Sequence, residues 1–119
     1  MKQTDGTRFS ARLTSCGPQV RLELSGEIDV DVRDELRAAL GVAVTTGADV
    51  VIDLTRVSFI DASGVGALVR AHRRLRGDHA LHLCGARPGI RRVLDITGVR
   101  GLFIEDDPVA PRGGPPALE

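Results

Sequence analysis

Asp61 and Ser63 are the side chains whose types and spacing best suggest chemistry. Asp61 and Ser63 stand in Asp61-Ala62-Ser63-Gly64, after an apolar run and before a stretch of helical spacing. A carboxylate and a hydroxyl there have two uses. Either oxygen can cap a helix by accepting a bond from a free N–H group, contributing about 1 kcal/mol. Alternatively, the hydroxyl can accept a phosphoryl group, because the helix dipole and free N–H groups tolerate the roughly −1.5 to −2 charges this adds. The pattern leaves both open, with capping the commoner use. Ser63 is the candidate acceptor, in one turn with Asp61, Ala62 and Gly64.

Other chemistries fit less well. A nucleophile elbow needs Gly-x-Ser-x-Gly, but the glycine positions around Ser63 hold Asp61 and Val65. Gly64-Val65-Gly66 begins like a dinucleotide loop, yet Val69 occupies the third glycine position. The acid expected about 20 residues later is replaced by His82-Leu83-Cys84-Gly85. No Gly-Lys-Ser/Thr phosphate loop is present. His72, His79 and His82 divide between a helix and the region of the next strand, so no metal site is expected. The reading is of a protein without catalytic residues, cofactor or metal. Arg70, Arg73, Arg74 and Arg76 form a basic run that reads either as a solvated face or as a docking edge for an acidic partner.

The elements that position these residues follow from periodicity. Residues 50–54 form an apolar run like a fully buried strand, and Val57-Ser58-Phe59-Ile60 follows a short polar interruption. Val65, Leu68, Val69, His72 and Leu75 then recur at intervals of three and four, predicting a helix that ends near Gly77. Upstream, residues 9–14 and 20–24 alternate as an antiparallel strand pair, with Gly17-Pro18 between them. Asp29 or Asp31 can cap the next helix, whose apolar positions are Val32, Leu36, Ala39, Leu40, Ala43 and Val44. Downstream lie a short strand at 80–84, a helix opened by Pro88 and closed by Gly98, and a last strand at 102–104. The order ββαβαβαβ predicts one α/β domain over 8–105. Its sheet should be mostly parallel, of about five strands, with the helices mainly on one face. Residues 106–119, rich in Pro and Gly, read as a disordered tail.

Composition narrows the partners. The 119 residues carry no formal net charge, and aromatics make up 3% with neither Trp nor Tyr. No global basic field or stacking platform draws the chain to nucleic acid. No apolar run suggests membrane insertion or a signal segment. Cys16 and Cys84 read as reduced, partly buried thiols of a cytoplasmic protein.

Three stretches in order resemble one family. Asp53-Leu54, Val57, Phe59-Ile60-Asp61 and Ser63-Gly64 resemble the strand–turn–helix signature of the STAS domain of anti-sigma factor antagonists. Gly26-Glu27-Ile28-Asp29 resembles that family's turn after the second strand. The stretch from Ile90 through Gly98 to Phe103 resembles its C-terminal helix–Gly–strand signature. The resemblance implies a cytoplasmic switch that binds an anti-sigma factor, a kinase of the histidine-kinase-like ATPase fold, and frees a sigma factor. Phosphorylation at the start of the second helix releases the partner, and a phosphatase restores binding. By this resemblance Asp29, Asp61, Ala62 and Gly64 flank the acceptor site; the usual acceptor directly follows the aspartate, that position is Ala62 here, and Ser63 matches the second hydroxyl residue. The resemblance also covers adaptors of signalling and lipid-transport complexes that are not phosphorylated. A small-molecule or nucleotide sensor is a further class, because the turn offers exposed N–H groups. The expected partner surface comprises Glu27, Ile28, Val65, Arg70 and Arg73.

Overall fold

A computed structural model describes residues 8–75, 79–99 and 104–106, with side chains at 16 and 104–106 not included. Strands β1 (Ser10–Cys16) and β2 (Gln19–Ile28) form a hairpin. A single 3-10 turn (Val30–Val32) leads into helix α1 (Arg33–Val44). Then follow β3 (Asp49–Ile60), α2 (Ala62–Arg74), β4 (Leu81–Cys84), α3 (Pro88–Ile96) and β5 (Ile104–Asp106). The sheet order is β1-β2-β3-β4-β5. β1 runs antiparallel to β2, and the remaining pairings are parallel.

Each parallel neighbour is reached through one helix, always stepping the same way across the sheet. Right-handed crossovers in such a series bring the helices to one face. The packing agrees: Leu22, Leu24, Val50, Ile52, Leu54, Leu81 and Leu83 share one core cluster with Leu36 and Leu40 of α1, Leu68 and Ala71 of α2, and Ile90 and Leu94 of α3. Val51 is also buried, at 1% exposure, on the opposite side of a strand flanked by β2 and β4. Strands covered on both faces read as near-continuous apolar runs, as residues 50–54 do.

Three local expectations need correction. The polar interruption after Leu54 does not break β3, which continues unbroken to Ile60. β4 pairs only with residues 50–53 of β3, so the later residues of β3 lie beside β2 beyond the reach of β4. There Thr55, Arg56, Ser58 and Phe59 are exposed without disturbing the strand. In α2 the inward face is Gly64, Val65, Ala67, Leu68 and Ala71. It is therefore turned toward small residues, leaving Val69, His72 and Leu75 half-buried at its margin. Finally, the last strand, Ile104–Asp106, takes in the first residue of the expected tail. Residues 102 and 103 of the expected strand, residues 107–119 of the expected tail, and Arg76 and Gly77 lie outside the described residues.

Candidate functional site

The site is built where β2 and β3 end side by side. Ile28 registers with Ile60, and the Asp61 N–H donates to the Ile28 carbonyl at 3.1 Å. Asp29 and Asp61 therefore open adjacent turns on one sheet edge, bringing together two segments distant in sequence. Gly26 makes this pairing possible. The register slips between Gly26 and Glu27, and Gly26 has φ +91°, which glycine adopts without steric cost.

Asp61 is the N-cap of α2. Its Oδ1 accepts from the backbone N–H of Ser63 at 3.0 Å and of Gly64 at 3.2 Å. The same oxygen accepts from the Ser63 hydroxyl at 2.6 Å. That hydroxyl bond contributes most to holding the Asp61 carboxyl below the usual carboxylate range; slight burial opposes it, and the backbone donors reinforce it. Ser63 is half-buried, whereas Ala62, between the two partners, is exposed.

The neighbouring aspartate does a smaller job. Asp29 Oδ1 accepts from the Asp31 N–H at 3.0 Å and caps the 3-10 turn. It does not cap α1 itself, whose N-cap, Val32, makes no side-chain cap bond.

Gly64 fits the turn against the core. A Cβ there would stand 2.6 Å from Ile28 Cγ2 and 2.7 Å from Ile60 Cγ1. Absence of a side chain therefore lets the first turn of α2 seat on the ends of both strands.

The expected partner surface divides into exposed and buried members. Glu27, Arg70 and Arg73 are exposed. Ile28 and Val65 are not: they are 1% and 4% exposed, within the core cluster. Ile28 points inward opposite Ile60, and Val65 lies on the inward stripe of α2. Both shape the turn from below and offer no side-chain surface to a partner. Two residues outside the expected set are prominent at this edge: Phe59 is 47% and Val30 57% exposed. Phe59 registers with Glu27. Strict alternation would place Phe59 on the same side as inward Val57; the register shift that leaves Ser58 unpaired breaks that alternation and turns Phe59 outward.

The histidines do not form a centre. His79 Nδ1 lies 3.4 Å from Asp49 Oδ1, which also accepts from the Ala80 N–H. Among the described residues no three His, Cys, Asp or Glu side chains gather as metal ligands. Among the same residues no helix is long and apolar enough to cross a membrane. Cys84 is buried; its Sγ lies 3.8 Å from Arg21 Nη2.

A family model described as "Mlab, STAS domain" matches residues 12–105. An anti-sigma-B factor antagonist of Staphylococcus epidermidis is 34% identical over 84 residues, covering 69% of this chain and 78% of that protein. The anti-sigma-B factor antagonist of Staphylococcus aureus is 31% identical over the same length and coverage. The crystal structure of an anti-sigma factor antagonist from Mycobacterium paratuberculosis superposes with a TM-score of 0.79 at 23% identity, over 87% of this chain and 89% of that one. The anti-sigma factor antagonist SpoIIAA in its unphosphorylated form gives 0.68 at 26% identity, over 82% and 88%. With residues 12–105 matched and these relatives on the same fold, the chain belongs to the STAS-domain family of anti-sigma factor antagonists.

Proposed function

We propose that this chain binds an anti-sigma factor through the sheet edge around Asp61 and thereby frees a sigma factor. The carrying observation is that Ala62, Phe59, Val30 and Glu27 are exposed beside two capped turns tied by the Asp61–Ile28 bond. Exposed apolar groups with a charged rim suit a protein partner better than a small substrate. The fixed caps hold the edge in one shape before binding, which reduces the ordering cost of association. The partner is an anti-sigma factor of the histidine-kinase-like ATPase fold, and the domain itself performs no turnover and requires no cofactor. The edge acts by fitting and releasing a partner.

SpoIIAA, 25% identical in its phosphorylated form with a TM-score of 0.61, shows that a related fold carries phosphate. For this chain the geometry favours capping over phosphoryl acceptance at Ser63. The Ser63 hydroxyl donates a hydrogen bond to Asp61, and the exposed first position of α2 is Ala62. Phosphoryl transfer to Ser63 would break that bond and place a dianion beside a carboxylate. We therefore read the chain as an antagonist that binds without serine switching. The absence of a hydroxyl at Ala62 equally suits a constitutive adaptor of a signalling or lipid-transport complex, the second reading.

Affinity capture of the full chain from its native cell, with partners identified by mass spectrometry, separates the two. Recovery of an anti-sigma factor is expected; recovery of transport components alone rejects the first reading. Incubating the captured kinase with the chain and ATP should leave residues 57–70 unmodified, whereas Ala62→Ser should create an acceptor. Phosphate on wild-type Ser63 would restore the serine switch.

A further inference from the structure

A second feature lies on the outer side of the helical layer, between α1 and α2. A cleft of about 250 Å³ is lined by Arg37, Leu40 and Gly41 of α1 and by Ala67, Arg70, Ala71 and Arg74 of α2. We infer that this cleft binds a small, multiply charged phosphate compound, clamped between Arg37 on one wall and Arg70 and Arg74 on the other. Arg70 also belongs to the expected partner surface, so the substitutions that test this inference are placed at Arg37 and Arg74.

Charge supports it first. The lining contains three guanidinium groups and no carboxylate. None of the three is in an ion pair among the described residues. Asp34, one turn before Arg37, approaches Arg33 instead, at 4.0 Å. A chain with no formal net charge thus concentrates positive charge in one concavity. Guanidinium groups present planar pairs of donors that match phosphate oxygens, which makes arginine better than lysine for such a clamp.

The backbone supplies the second observation. Gly41 lies inside α1, where glycine is unfavourable compared with alanine. It needs no positive φ, since it is absent from the residues with left-handed backbone. What it provides is space: a Cβ there would stand 3.2 Å from Arg74 Nη1. Gly41 seats the Arg74 guanidinium, while Ala67 and Ala71 keep the opposite wall low. A side chain at position 41 would press the exposed Arg74 head away by a few tenths of an ångström. The cleft holds a few phosphate groups and little more, which favours a compact anion over a folded segment.

The test uses the full chain and inorganic pyrophosphate. Backbone and arginine side-chain NMR signals are followed during titration at fixed ionic strength. Saturable shifts are expected at Arg37, Gly41, Arg70 and Arg74, with no equivalent change on adding chloride. Arg37→Gln and Arg74→Gln should each weaken binding about tenfold, the loss expected for one charged hydrogen-bond partner. Gly41→Ala should also weaken binding while leaving the melting temperature unchanged or raised, because it crowds Arg74 yet improves helix propensity. Vesicles of anionic phospholipid form a second arm. Pyrophosphate binding without vesicle binding identifies a soluble ligand, whereas vesicle binding alone overturns that assignment. Shifts that do not saturate, that centre on the Asp61 turn, or that survive both arginine substitutions overturn the inference.

Discussion

Asp53 and Asp61 lie within one family signature and hold their charge by different means. Asp53 faces away from the helices, where burial would raise its carboxyl affinity for protons. The hydroxyl and N–H of Thr55, at 2.6 and 2.9 Å, and Arg21, at 2.7 Å, outweigh that burial and keep it below the usual range. Arg21 experiences the reciprocal contest: burial weakens its charge, and Asp53 more than restores it. Asp61 instead stands at the end of β3, little buried, with donors from the helix it starts. The first aspartate joins β2 to β3, and the second fixes a turn whose exposed neighbour, Ala62, faces outward. The signature therefore contains a fastening half and a presenting half, and chemical type alone does not distinguish them.

Substitution should separate the halves, beginning with the tightest contact. Gly64→Val should be the most disruptive change, because its side chain must displace Ile28 and Ile60. A loss of about 3 kcal/mol or more is expected from such overpacking, measured by denaturant unfolding; a loss below about 1 kcal/mol would show that α2 can lift freely. Asp53→Ala strands Arg21 in a partly buried position. It should cost about 2 kcal/mol, less than the 3–5 typical of a fully buried pair. A Thr55→Ala change combined with it should add less than its own single effect, since both act on one network. Asp61→Ala should cost about 1 kcal/mol, as expected for a lost N-cap, and Asp61→Asn only a few tenths. Equal losses for Ala and Asn would assign the role to charge alone.

Acid provides a gentler comparison. Asp53, Asp61 and Asp49 all have folded-state proton affinities lowered relative to the free side chain, Asp49 chiefly through the Ala80 N–H. Such groups contribute stability above the unfolded carboxylate pKa, about 3.9. That contribution is lost as pH falls through the lower folded values. Unfolding free energy should therefore decline below about pH 4, and Asp53→Asn and Asp61→Asn should each flatten the decline. An unchanged slope in both variants would contradict the assigned hydrogen bonds.

Much of this arrangement was legible before the structure. The run at 50–54, the spacing after Asp61 and the Gly17, Pro88 and Gly98 punctuation sufficed to predict the element order. Periodicity could not show that β3 would outrun β4, because strand pairing is decided by residues far along the chain. Nor could it show that the register shift beside Glu27 would turn Phe59 outward. Ile28 and Val65 enter the expected partner surface because they adjoin the motif, although Val65 also heads the apolar stripe; adjacency in sequence does not decide which way a side chain points. The α1–α2 cleft was only half visible: Arg70 and Arg74 belonged to a recognised basic run, whereas Arg37 and Gly41 join them solely through helix packing.

The central claim is that the presenting half, centred on Ala62, meets an anti-sigma factor. Its most direct test is the affinity of Ala62→Glu for the anti-sigma factor recovered by capture, compared with Thr14→Glu on exposed β1. Glutamate in a first helical turn is tolerated by the dipole, so melting temperature should stay near wild type. The account predicts about a hundredfold loss of affinity, roughly 2.7 kcal/mol, for Ala62→Glu and none for Thr14→Glu. Wild-type affinity in a folded Ala62→Glu chain would contradict it.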